Sequence, residues 1–459
     1  MKMEYKKHHS SFRDPDGFVF TDKNNTVYRQ LNQSYKEHYF NLMSSGLYDQ
    51  LVKQNDLVSH QEVDEVIAEK TSHYKTLLPQ QISFISYPYE WCFDQLRDAA
   101  ILTLNILKQS LKHEMILKDA TPFNIQFDKG KPIFIDTTSF EKYEEGKPWV
   151  AYRQFCQCFL APLLLSHYLG SDLNKLFIVY PDGIPLKIVS KILPIRSYFK
   201  LSVLLHIHFQ AGYKQQISTG KKYVMPKNRL LALIDNLDSL VKGLSYKNET
   251  VGWSNYYEKD VISKEYVEIK ERIIEDVINK IEVKTALDIG ANNGRFSQLL
   301  SKKNIEVVAS DFDTACIADL YSNVKLTSNT TIYPIVLDFA IPSPSIGWEN
   351  NERLSFLNRA KFDLTLALAI IHHLAIERNV PLYKIAKTFS LIGKYLIIEF
   401  IPKSDPKVQL LLQNRKDVFI DYDEENFEKQ FGLFYILKSK ENVKGTDRII
   451  YFFERRKDE

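Results

Sequence analysis

The sequence predicts two domains of different fold class: an α+β, largely helical domain, followed by an α/β domain with a mostly parallel sheet. The chain has 459 residues, which is too many for one ordinary core. Residues 150–244 show mainly helical periodicity. From Lys284 onward, strand-like apolar runs alternate with helical stretches, and this is the pattern of parallel strands joined by crossover helices.

The junction between the domains is a polar, glycine-containing stretch, GLSYKNETVGWSNYYEKD. It is followed by SKEYVEIKERIIEDVINKI, in which the apolar residues recur largely on one helical face. We therefore predict a first domain over residues 1–245, a linker and lead-in helix over 246–280, and a second domain over 281–459, with the junction near 245–262.

Composition and charge are those of a soluble globular protein. Hydrophobic residues make up 44% of the chain and the formal net charge is +3, so the basicity of a dedicated nucleic-acid-binding protein is missing. The start, MKMEYKKHHSS, leads into polar sequence, which argues against a signal peptide. The four cysteines form no CxxC pair and suit a reducing compartment, so we expect a cytoplasmic protein.

Two apolar stretches, FLAPLLLSHYLG and YFKLSVLLHIHF, are too short or too interrupted to span a bilayer. We interpret both as core helices, with contact to a membrane interface as the alternative. The second stretch contains His206 and His208. Alternating histidines without a third ligand nearby are usually partly buried side chains, so we expect no structural metal.

The elements of the first domain follow from short patterns. GFVFTDKNNTVYRQL predicts a hairpin with Asn-Asn at its turn, and EHYFNLMSSGLYDQLV has helical periodicity. An extended, aromatic piece then runs into a long amphipathic helix that ends near His113. The runs FNIQF and PIFID, joined by the turn DKGK, predict a second hairpin.

The second domain contains seven strand-like runs: TALDIG, IEVVASD, TIYPIVLDF, FDLTLALAI, KYLIIEF, FYILKSK and RIIYFFER. The first runs into Asp288-Ile-Gly290-Ala-Asn292-Asn-Gly294, at the strand-to-helix turn where an α/β sheet holds its ligand. The glycine spacing differs from that of a dinucleotide site, and a carboxylate at position 288 would repel a pyrophosphate. The same carboxylate would attract the ammonium and sulfonium groups of S-adenosylmethionine, although any tight turn also favours glycine.

Two further acids end the second and third strands. Asp311 follows about 20 residues after Asp288, where it could accept hydrogen bonds from both ribose hydroxyls. Asp338 could bind the adenine amino group, with Phe339 against the base. Because buried carboxylates need partners, acids at three successive strand ends favour a ligand site over simple packing.

The segments ALDIGANNGRFS, VVASDFD, VLDFA and FDLTLALAIIHHL resemble, in order and spacing, the motifs of the class I S-adenosylmethionine-dependent methyltransferases. This resemblance implies a Rossmann-like methyltransferase domain with a mostly parallel, seven-stranded sheet. Asn292 stands where many members have a second glycine, which implies a slightly different approach to the methionine moiety. The whole chain also resembles a bacterial family labelled after host-specific nodulation proteins of the Noe type, and this label names no methyl acceptor.

Candidate catalytic residues lie at the ends of the fourth and fifth strands. His372 and His373 could serve as the base for a hydroxyl acceptor, or they could only line the cofactor pocket. Glu399 lies inside an apolar run, so it must be paired or functional, and it could be a second base or an anchor for a basic acceptor. The loop IPSPSIGWENNERL, with Trp348, either covers the substrate or forms a solvent-exposed turn.

The first domain carries a second candidate site. Asp119, Asn124 and Asp136 have the order in which kinases place a base and two magnesium-coordinating residues. The stretch resembles the catalytic loop of aminoglycoside and protein kinases, which implies a kinase-like domain and MgATP. Arg29 occupies the place of the nucleotide-binding lysine, no glycine-rich loop precedes it, and Thr-Thr follows Asp136. Three alternatives remain: capping and turn residues, an inactive nucleotide site, or an active kinase.

The predicted function is S-adenosylmethionine-dependent methyl transfer to a hydroxyl of a saccharide or small molecule. One alternative is a nicotinamide-dependent oxidoreductase, which Asp288 disfavours. Another is a regulatory or binding protein in which the kinase-like and methyltransferase sites are both vestigial. Nucleic acid is a further acceptor class because the chain ends in FFERRKDE, although a short charged tail is usually only solvated.

Overall fold

The computed structural model describes residues 5–63, 66–170, 172–212, 224–246, 264–327, 329, 331–413 and 416–457. The chain divides into two compact units, Met1–Glu249 with Ser345–Leu354, and Thr250–Pro344 with Ser355–Glu459. Residues 247–263 of the predicted linker and lead-in helix (246–280) lie outside the described residues. The assignment of Ser345–Leu354 to the first unit differs from the predicted boundaries, which placed these residues in the second domain.

The first unit contains a five-stranded antiparallel sheet with the strand order β1-β2-β3-β5-β4. The strands are β1 (Lys6–Lys7), β2 (Gly17–Thr21), β3 (Val27–Asn32), β4 (His60–Glu62) and β5 (His73–Pro79). β2 and β3 form the predicted hairpin, and Asn25 has a φ of 62° in its turn. After β3, Gly46 with a φ of 78° separates helix α1 (Lys36–Ser44) from helix α2 (Leu47–Lys53).

A long helix and two short strand pairs follow. Helix α3 (Phe93–Lys112) ends at His113, as the sequence predicts. β6 (Met115–Leu117) pairs with β9 (Phe140–Lys142), and β7 (Ile125–Asp128) pairs with β8 (Lys131–Phe134), both antiparallel. Lys129 and Gly130 have φ values of 50° and 73°, the two left-handed conformations of a tight hairpin turn. The second predicted hairpin is therefore present.

The rest of the first unit is mainly helical. Its helices are α4 (Tyr152–Phe155), α5 (Ala161–Leu169), α6 (Leu186–Ile192), α7 (Leu201–Val203), α8 (Phe209–Gly212) and α9 (Lys227–Lys242). π-helical turns lie at Cys156–Leu160 and Leu204–His208, and 3-10 turns lie at Gln33–Tyr35, Pro88–Glu90, Pro122–Asn124, Thr137–Ser139, Asn174–Ile178 and Ile195–Phe199. Together with the sheet, these helices give the predicted α+β class.

The two apolar stretches differ in their surroundings. Residues 159–166 of the first stretch are buried, so it forms a core helix as predicted. In the second stretch, Leu201, Leu205 and Phe209 are 69%, 40% and 61% exposed. The prediction of a core helix is therefore wrong for one face of the second stretch. Among the described residues, no helix combines the length and the apolar character needed to cross a bilayer.

Ser345–Leu354 completes the first unit from a distant part of the chain. The Arg13 guanidinium donates from Nε and Nη2 to the two carboxylate oxygens of Glu352, at 3.0 and 2.9 Å. The main-chain N–H of Leu354 donates to Tyr87 Oη at 3.3 Å. Trp348 lies in a 3-10 turn and is 65% exposed, which agrees with the solvent-exposed alternative for this loop.

The second unit contains a seven-stranded sheet with the order β12-β11-β10-β13-β14-β16-β15. The strands are β10 (Thr285–Ile289), β11 (Glu306–Asp311), β12 (Ile332–Val336), β13 (Phe362–Ala367), β14 (Gly393–Phe400), β15 (Tyr435–Asn442) and β16 (Ile449–Arg455). β10 to β14 are parallel, while β16 is antiparallel to both β14 and β15. The sheet is therefore mostly parallel, as predicted.

Helices accompany these strands in chain order. They are α10 (Lys264–Ile278), α11 (Arg295–Ser301), α12 (Thr314–Thr327), α13 (Phe356–Arg359), α14 (Leu382–Ile392), α15 (Pro406–Leu412) and α16 (Glu424–Gly432), with a π-helical turn at His373–Glu377. The predicted apolar face of α10 packs into one core with residues of β10, β13 and β16. This packing fixes the lead-in helix against the sheet.

Candidate functional site

Three predicted acids lie at one edge of the sheet, formed by the carboxyl ends of β10, β11 and β12. Asp288 stands in register with Ala309 of β11, and Asp311 stands in register with Val336 of β12. Asp338 follows the last residue of β12 by two positions. Because these strands are adjacent and parallel, their ends meet at the edge where open α/β sheets bind ligands.

Asp288 is 2% exposed and accepts a hydrogen bond from Ser297 Oγ at 2.6 Å. Burial raises its pKa to about 6, and the nearby charge of Asp311 adds to this rise. The hydrogen bond from Ser297 and the charge of Lys270 act in the opposite direction. A cationic ligand beside Asp288 would favour its ionised form and lower this pKa.

Asp311 is held in a fixed orientation by two main-chain donors. Its Oδ2 accepts the N–H of Asn292 and its Oδ1 accepts the N–H of Asp313, both at 2.9 Å. The side chain is buried, and burial raises its pKa. Since a carboxylate oxygen can accept more than one hydrogen bond, both oxygens could also accept from ligand hydroxyls.

The turn after β10 has three residues in the left-handed region. Gly290, Asn292 and Gly294 have φ values of 73°, 50° and 78°. A Cβ on Gly294 would lie 2.4 Å from Leu320 Cδ1, so this position requires glycine. Asparagine adopts left-handed φ more readily than most other residues, and this explains how Asn292 can take a conformation that usually favours glycine.

Asp338 already has a charged partner. Its Oδ2 lies 2.9 Å from Arg378 Nη2, and its Oδ1 accepts the N–H of Ala340 at 2.9 Å. The ring of Phe339 packs against Phe389 with 5.2 Å between centroids. An adenine amino group at Asp338 would therefore share the carboxylate with Arg378. Sequence reasoning missed Arg378 because nothing in its polar loop singles it out.

The two predicted histidines have different environments. His372 is 1% exposed, and its Nδ1 has no hydrogen-bond partner among the described residues. Burial, assisted by His373 and Arg448, lowers its pKa well below the ordinary value, so His372 is neutral. The side chain of His373 is 23% exposed, and its Nδ1 lies 2.7 Å from Glu377 Oε2. Glu377 was not predicted, although its four-residue spacing from His373 on a helical turn is a recognisable signal.

The prediction that Glu399 is a base or an acceptor anchor is not supported by its surroundings. Its side chain is fully buried and accepts from Lys270 Nζ at 2.8 Å and from Tyr266 Oη at 2.7 Å. Burial opposes its charge, but Lys270 and Arg448 hold the pKa of Glu399 below its usual value. Arg448 also donates to Tyr266 Oη and to Asp405, both at 2.7 Å. Because Glu399 belongs to this buried network, we assign it a structural role.

The first unit brings its three predicted site residues together. Asn124 Nδ2 donates to Asp119 Oδ2 and to Ser139 Oγ, both at 3.1 Å. The Ser139 hydroxyl in turn donates to Asp136 Oδ2. Asp119 Oδ1 is buried without a hydrogen-bond partner among the described residues, and burial together with the Asp136 charge raises the pKa of Asp119.

Arg29 determines what this cluster can bind. Its Nη1 lies 2.6 Å from Asp136 Oδ1, which also accepts from Thr138 Oγ1 at 2.9 Å. Although burial alone would raise the pKa of Asp136, Arg29 holds it below the ordinary value. A magnesium ion at Asp136 would have to compete with the positively charged Arg29 guanidinium for the carboxylate and would be repelled by it. The present arrangement therefore does not fit the metal of MgATP.

The alternating histidines of the first unit are engaged on both ring nitrogens. Hydroxyl and amide groups lie 2.8 to 2.9 Å from these nitrogens: Tyr152 and Asn236 beside His206, and Ser190 and Ser197 beside His208. Within the described ranges, no group of three or more potential metal-ligating side chains is present. The absence of a structural metal stays a prediction.

No protein-family model matches the chain. The chain is 30% identical over 457 residues to the nodulation protein NoeA of Rhizobium meliloti (strain 1021), covering 97% of this chain and 95% of NoeA. Similar solved structures include the bifunctional kinase-methyltransferase WbdD, with 18% identity, coverage of 41% and 37% of the two chains, and a TM-score of 0.29. The N-methyltransferase NodS from Bradyrhizobium japonicum WM9 is 11% identical, with coverage of 43% and 100% and a TM-score of 0.32. TM-scores of this size do not establish a shared fold.

Proposed function

This chain belongs to the family of the nodulation protein NoeA, and from that premise we propose that it is an S-adenosylmethionine-dependent methyltransferase. The name NoeA states no reaction, so the proposal depends on the site. One observation carries it: Asp288, Asp311 and Asp338 lie at the carboxyl ends of three adjacent parallel strands. The methyltransferase-like motifs of the sequence contain the same residues.

S-adenosylmethionine supplies a methyl group activated by a sulfonium, which an aligned acceptor can displace. The acids fit this ligand because Asp288 and Asp311 are both buried at the carboxyl ends of the paired strands β10 and β11. Asp288 would compensate the positive charge of the methionine moiety, and Asp311 would accept the ribose hydroxyls. The turn over residues 290–294 would let the ligand approach the main chain. A nicotinamide dinucleotide fits less well, because its pyrophosphate would meet the carboxylate of Asp288.

For the base we propose His373, positioned by Glu377. A hydroxyl acceptor must lose a proton during methyl transfer, and histidine is a common base for this step. The carboxylate of Glu377 lies beside Nδ1, the arrangement in which an acid fixes the orientation and tautomer of a catalytic histidine. His372 is a weaker base because burial disfavours the charged imidazolium that forms when a base takes up a proton, so we propose that it lines the pocket.

The proposed acceptor is a hydroxyl of a saccharide or small molecule. A histidine base favours oxygen acceptors, and this is the support for the choice. We also propose that the protein works in a reducing, cytoplasmic environment. All four cysteines are buried and free, which agrees with a reducing compartment.

A second candidate function concerns the first unit alone. The Arg29–Asp136 ion pair favours a regulatory or binding role, with a vestigial kinase-like site, over phosphoryl transfer. Asp119 and Asn124 keep their hydrogen-bonded arrangement in either case. We derive no catalytic step at this cluster.

Calorimetric titration of S-adenosylmethionine and its demethylated product tests the proposal, with wild type compared with Asp288→Ala. We expect saturable binding to the wild type, and a loss of about 2 kcal/mol or more in the variant because a charge partner is removed. NADH titrated in parallel tests the oxidoreductase alternative. Binding of NADH alone would replace the methyltransferase proposal, and binding of neither ligand would favour a regulatory protein.

A further inference from the structure

One surface of the first unit exposes eight large apolar side chains. It is formed by α6, the 3-10 turn Ile195–Phe199, and the helical run from Leu201 to Gly212. The exposed apolar side chains, with exposed fractions from 37% to 84%, are Ile188, Ile192, Ile195, Tyr198, Phe199, Leu201, Leu205 and Phe209. Contiguous apolar surface of this kind marks a binding face. We call residues 186–209 the apolar-basic surface.

These side chains extend from packed segments. His208 Nδ1 lies 2.8 Å from Ser190 Oγ of α6, and His208 Nε2 lies 2.9 Å from Ser197 Oγ of the 3-10 turn. The ring of Tyr198 stacks on the same imidazole with 3.6 Å between centroids. The inward residues of the three segments are buried: Leu186, Val189, Leu193, Ser197, Val203 and Ile207. The exposed set is therefore the outer face of a folded layer.

The exposed apolar residues lie in stripes along two helical segments. Leu201, Leu205 and Phe209 are each four residues apart on one helical run, and Ile188 and Ile192 have the same spacing on α6. Surface helices of globular proteins usually direct such a stripe toward the core. Here the stripes are exposed, so they are available to an apolar environment outside the unit.

Basic residues accompany the apolar ones. Lys187, Lys191, Arg196 and Lys200 are exposed, and each is next in sequence to an exposed apolar residue. No Asp or Glu occurs in the sequence from residue 183 to residue 234. In the described part of the chain, none of the three lysines has an ion-pair partner. The surface therefore combines an apolar centre with uncompensated positive charge.

We propose that the apolar-basic surface binds the face of a lipid bilayer that contains anionic lipids. Aromatic and aliphatic side chains inserted at the headgroup level, with Lys and Arg reaching the phosphates, are the features of a protein that lies on a membrane. Two copies of the chain joined by this surface would bring like charges together without an acid between them. Nucleic acid would use the cations but would leave the aliphatic stripes in water. This proposal does not depend on the methyltransferase activity.

Cosedimentation of the full chain with vesicles tests the proposal. We compare vesicles of phosphatidylcholine alone with vesicles in which about one third of the lipid is phosphatidylglycerol. We expect binding to the anionic vesicles, weaker binding to the neutral ones, and weakening with added salt. The affinity of the double variant Ile195→Glu/Phe199→Glu for anionic vesicles should be at least about tenfold lower, because two large apolar side chains no longer leave water on binding. Lys187→Glu/Lys191→Glu should lose the preference for anionic lipid.

Leu326→Glu is the matched control, because that leucine is 86% exposed and lies outside this surface. It should bind vesicles as the wild type does. Circular dichroism checks that each variant folds, as expected for substitutions of exposed residues. Equal binding of wild type and Ile195→Glu/Phe199→Glu, or no vesicle binding at low salt, overturns the proposal. A dimer that the double variant dissociates, or duplex DNA binding that it abolishes, would reassign the surface to those partners.

Discussion

Lys270 Nζ and Glu399 Oε2 lie 2.8 Å apart, and the two side chains are 2% and 0% exposed. One residue is on α10 and the other is near the end of β14, 129 positions away in sequence. Tyr266 and Arg448 complete the hydrogen bonds of the carboxylate and its neighbours. This network holds the lead-in helix to the carboxyl edge of the sheet. Removing one charge of a buried pair costs more stability than replacing both charges with apolar groups.

Removing one partner of this pair should strongly destabilise the second unit. We expect Lys270→Met to cost about 3–5 kcal/mol, because it removes a neutralising charge from buried Glu399. Hydrogen exchange of peptides from α10 and β14, measured across a urea series, reports the local free energy of opening. Lys403→Met is the control, since the Lys403–Asp417 pair is solvent-exposed and should contribute less than about 1 kcal/mol. Similar losses in both variants would contradict a special role for the buried network.

The affinity for S-adenosylmethionine should rise as pH increases from about 5 to 7, because the ligand cation needs ionised Asp288, whose pKa is about 6. Calorimetry at several pH values measures this rise. Asp288→Asn should weaken binding and flatten the pH profile, whereas Asp417→Asn, a variant of an exposed acid, should leave both unchanged. An equally steep profile for Asp288→Asn would assign the titration to another group.

The same carboxyl group should affect stability in the opposite direction. Its pKa is higher in the folded chain than in the unfolded one, so the folded state binds its proton more readily. This group therefore favours folding at low pH, and its contribution is lost as pH rises from about 4 through 6. Asp288→Asn should remove that contribution from the pH dependence of ligand-free unfolding. Differential scanning calorimetry of both proteins, without cofactor, measures it.

His373→Gln should lower kcat for methyl transfer by about 10²–10⁴-fold, the usual contribution of a general base. The measurement is transfer of tritiated methyl to a panel of saccharides, with cofactor affinity determined separately. Glu377→Gln should lower kcat less and shift the pH profile, because the histidine keeps its place but loses its carboxylate partner. His372→Gln should mainly change KM. A His373→Gln enzyme with normal kcat would exclude this histidine as the base.

Gly294→Ala should destabilise the second unit more than Gly445→Ala does. Both glycines have positive φ values, 78° and 84°, but only the Cβ at 294 would meet a side chain, Leu320 Cδ1 at 2.4 Å. We expect about 1 kcal/mol for the shared backbone strain and a further 1–3 kcal/mol for overpacking at position 294. Unfolding midpoints of the two variants make the comparison. Equal losses would mean that Leu320 moves aside without cost.

Calorimetric titration of MgATP into the wild type should show no saturable binding, because the Arg29 guanidinium is paired with the Asp136 carboxylate. Arg29→Gln removes the ion pair and should raise the pKa of Asp136, since Arg29 holds it down. If the wild type binds MgATP with micromolar affinity, and Asp136→Asn does not, Arg29 must leave the carboxylate on binding. That result would restore the kinase-type interpretation of the first unit.

The sequence predicts the second unit better than the first, and the reason is physical. A buried parallel strand such as β12 is a continuous apolar run, and the acid that follows it, Asp338, stands out against that background. The apolar residues around Glu399 in sequence also predict that this carboxylate needs a charged or hydrogen-bonding partner. The sequence does not predict that this partner is Lys270, because Lys270 lies on an amphipathic helix, where a lysine ordinarily belongs to the solvated face.

Other features depend on contacts between distant residues. The helical periodicity after β3 does not reveal that Gly46 divides it, since glycine is tolerated within helices at modest cost. The stretch over residues 198–209 has the composition of a core helix, and only the packing around His208 shows which face is outside. Arg29 and Asp136 are likewise too far apart in sequence for their pairing to be predicted.

The pairing of Arg13 with Glu352 has a consequence for synthesis on the ribosome. The first unit leads along the chain, yet it lacks the contacts of Ser345–Leu354 until those residues emerge. The earlier portion of the first unit therefore lacks these contacts while residues 250–344 are being translated. A gene fragment that stops at residue 249 would encode the first unit without Ser345–Leu354. No single division of the sequence therefore yields both units intact.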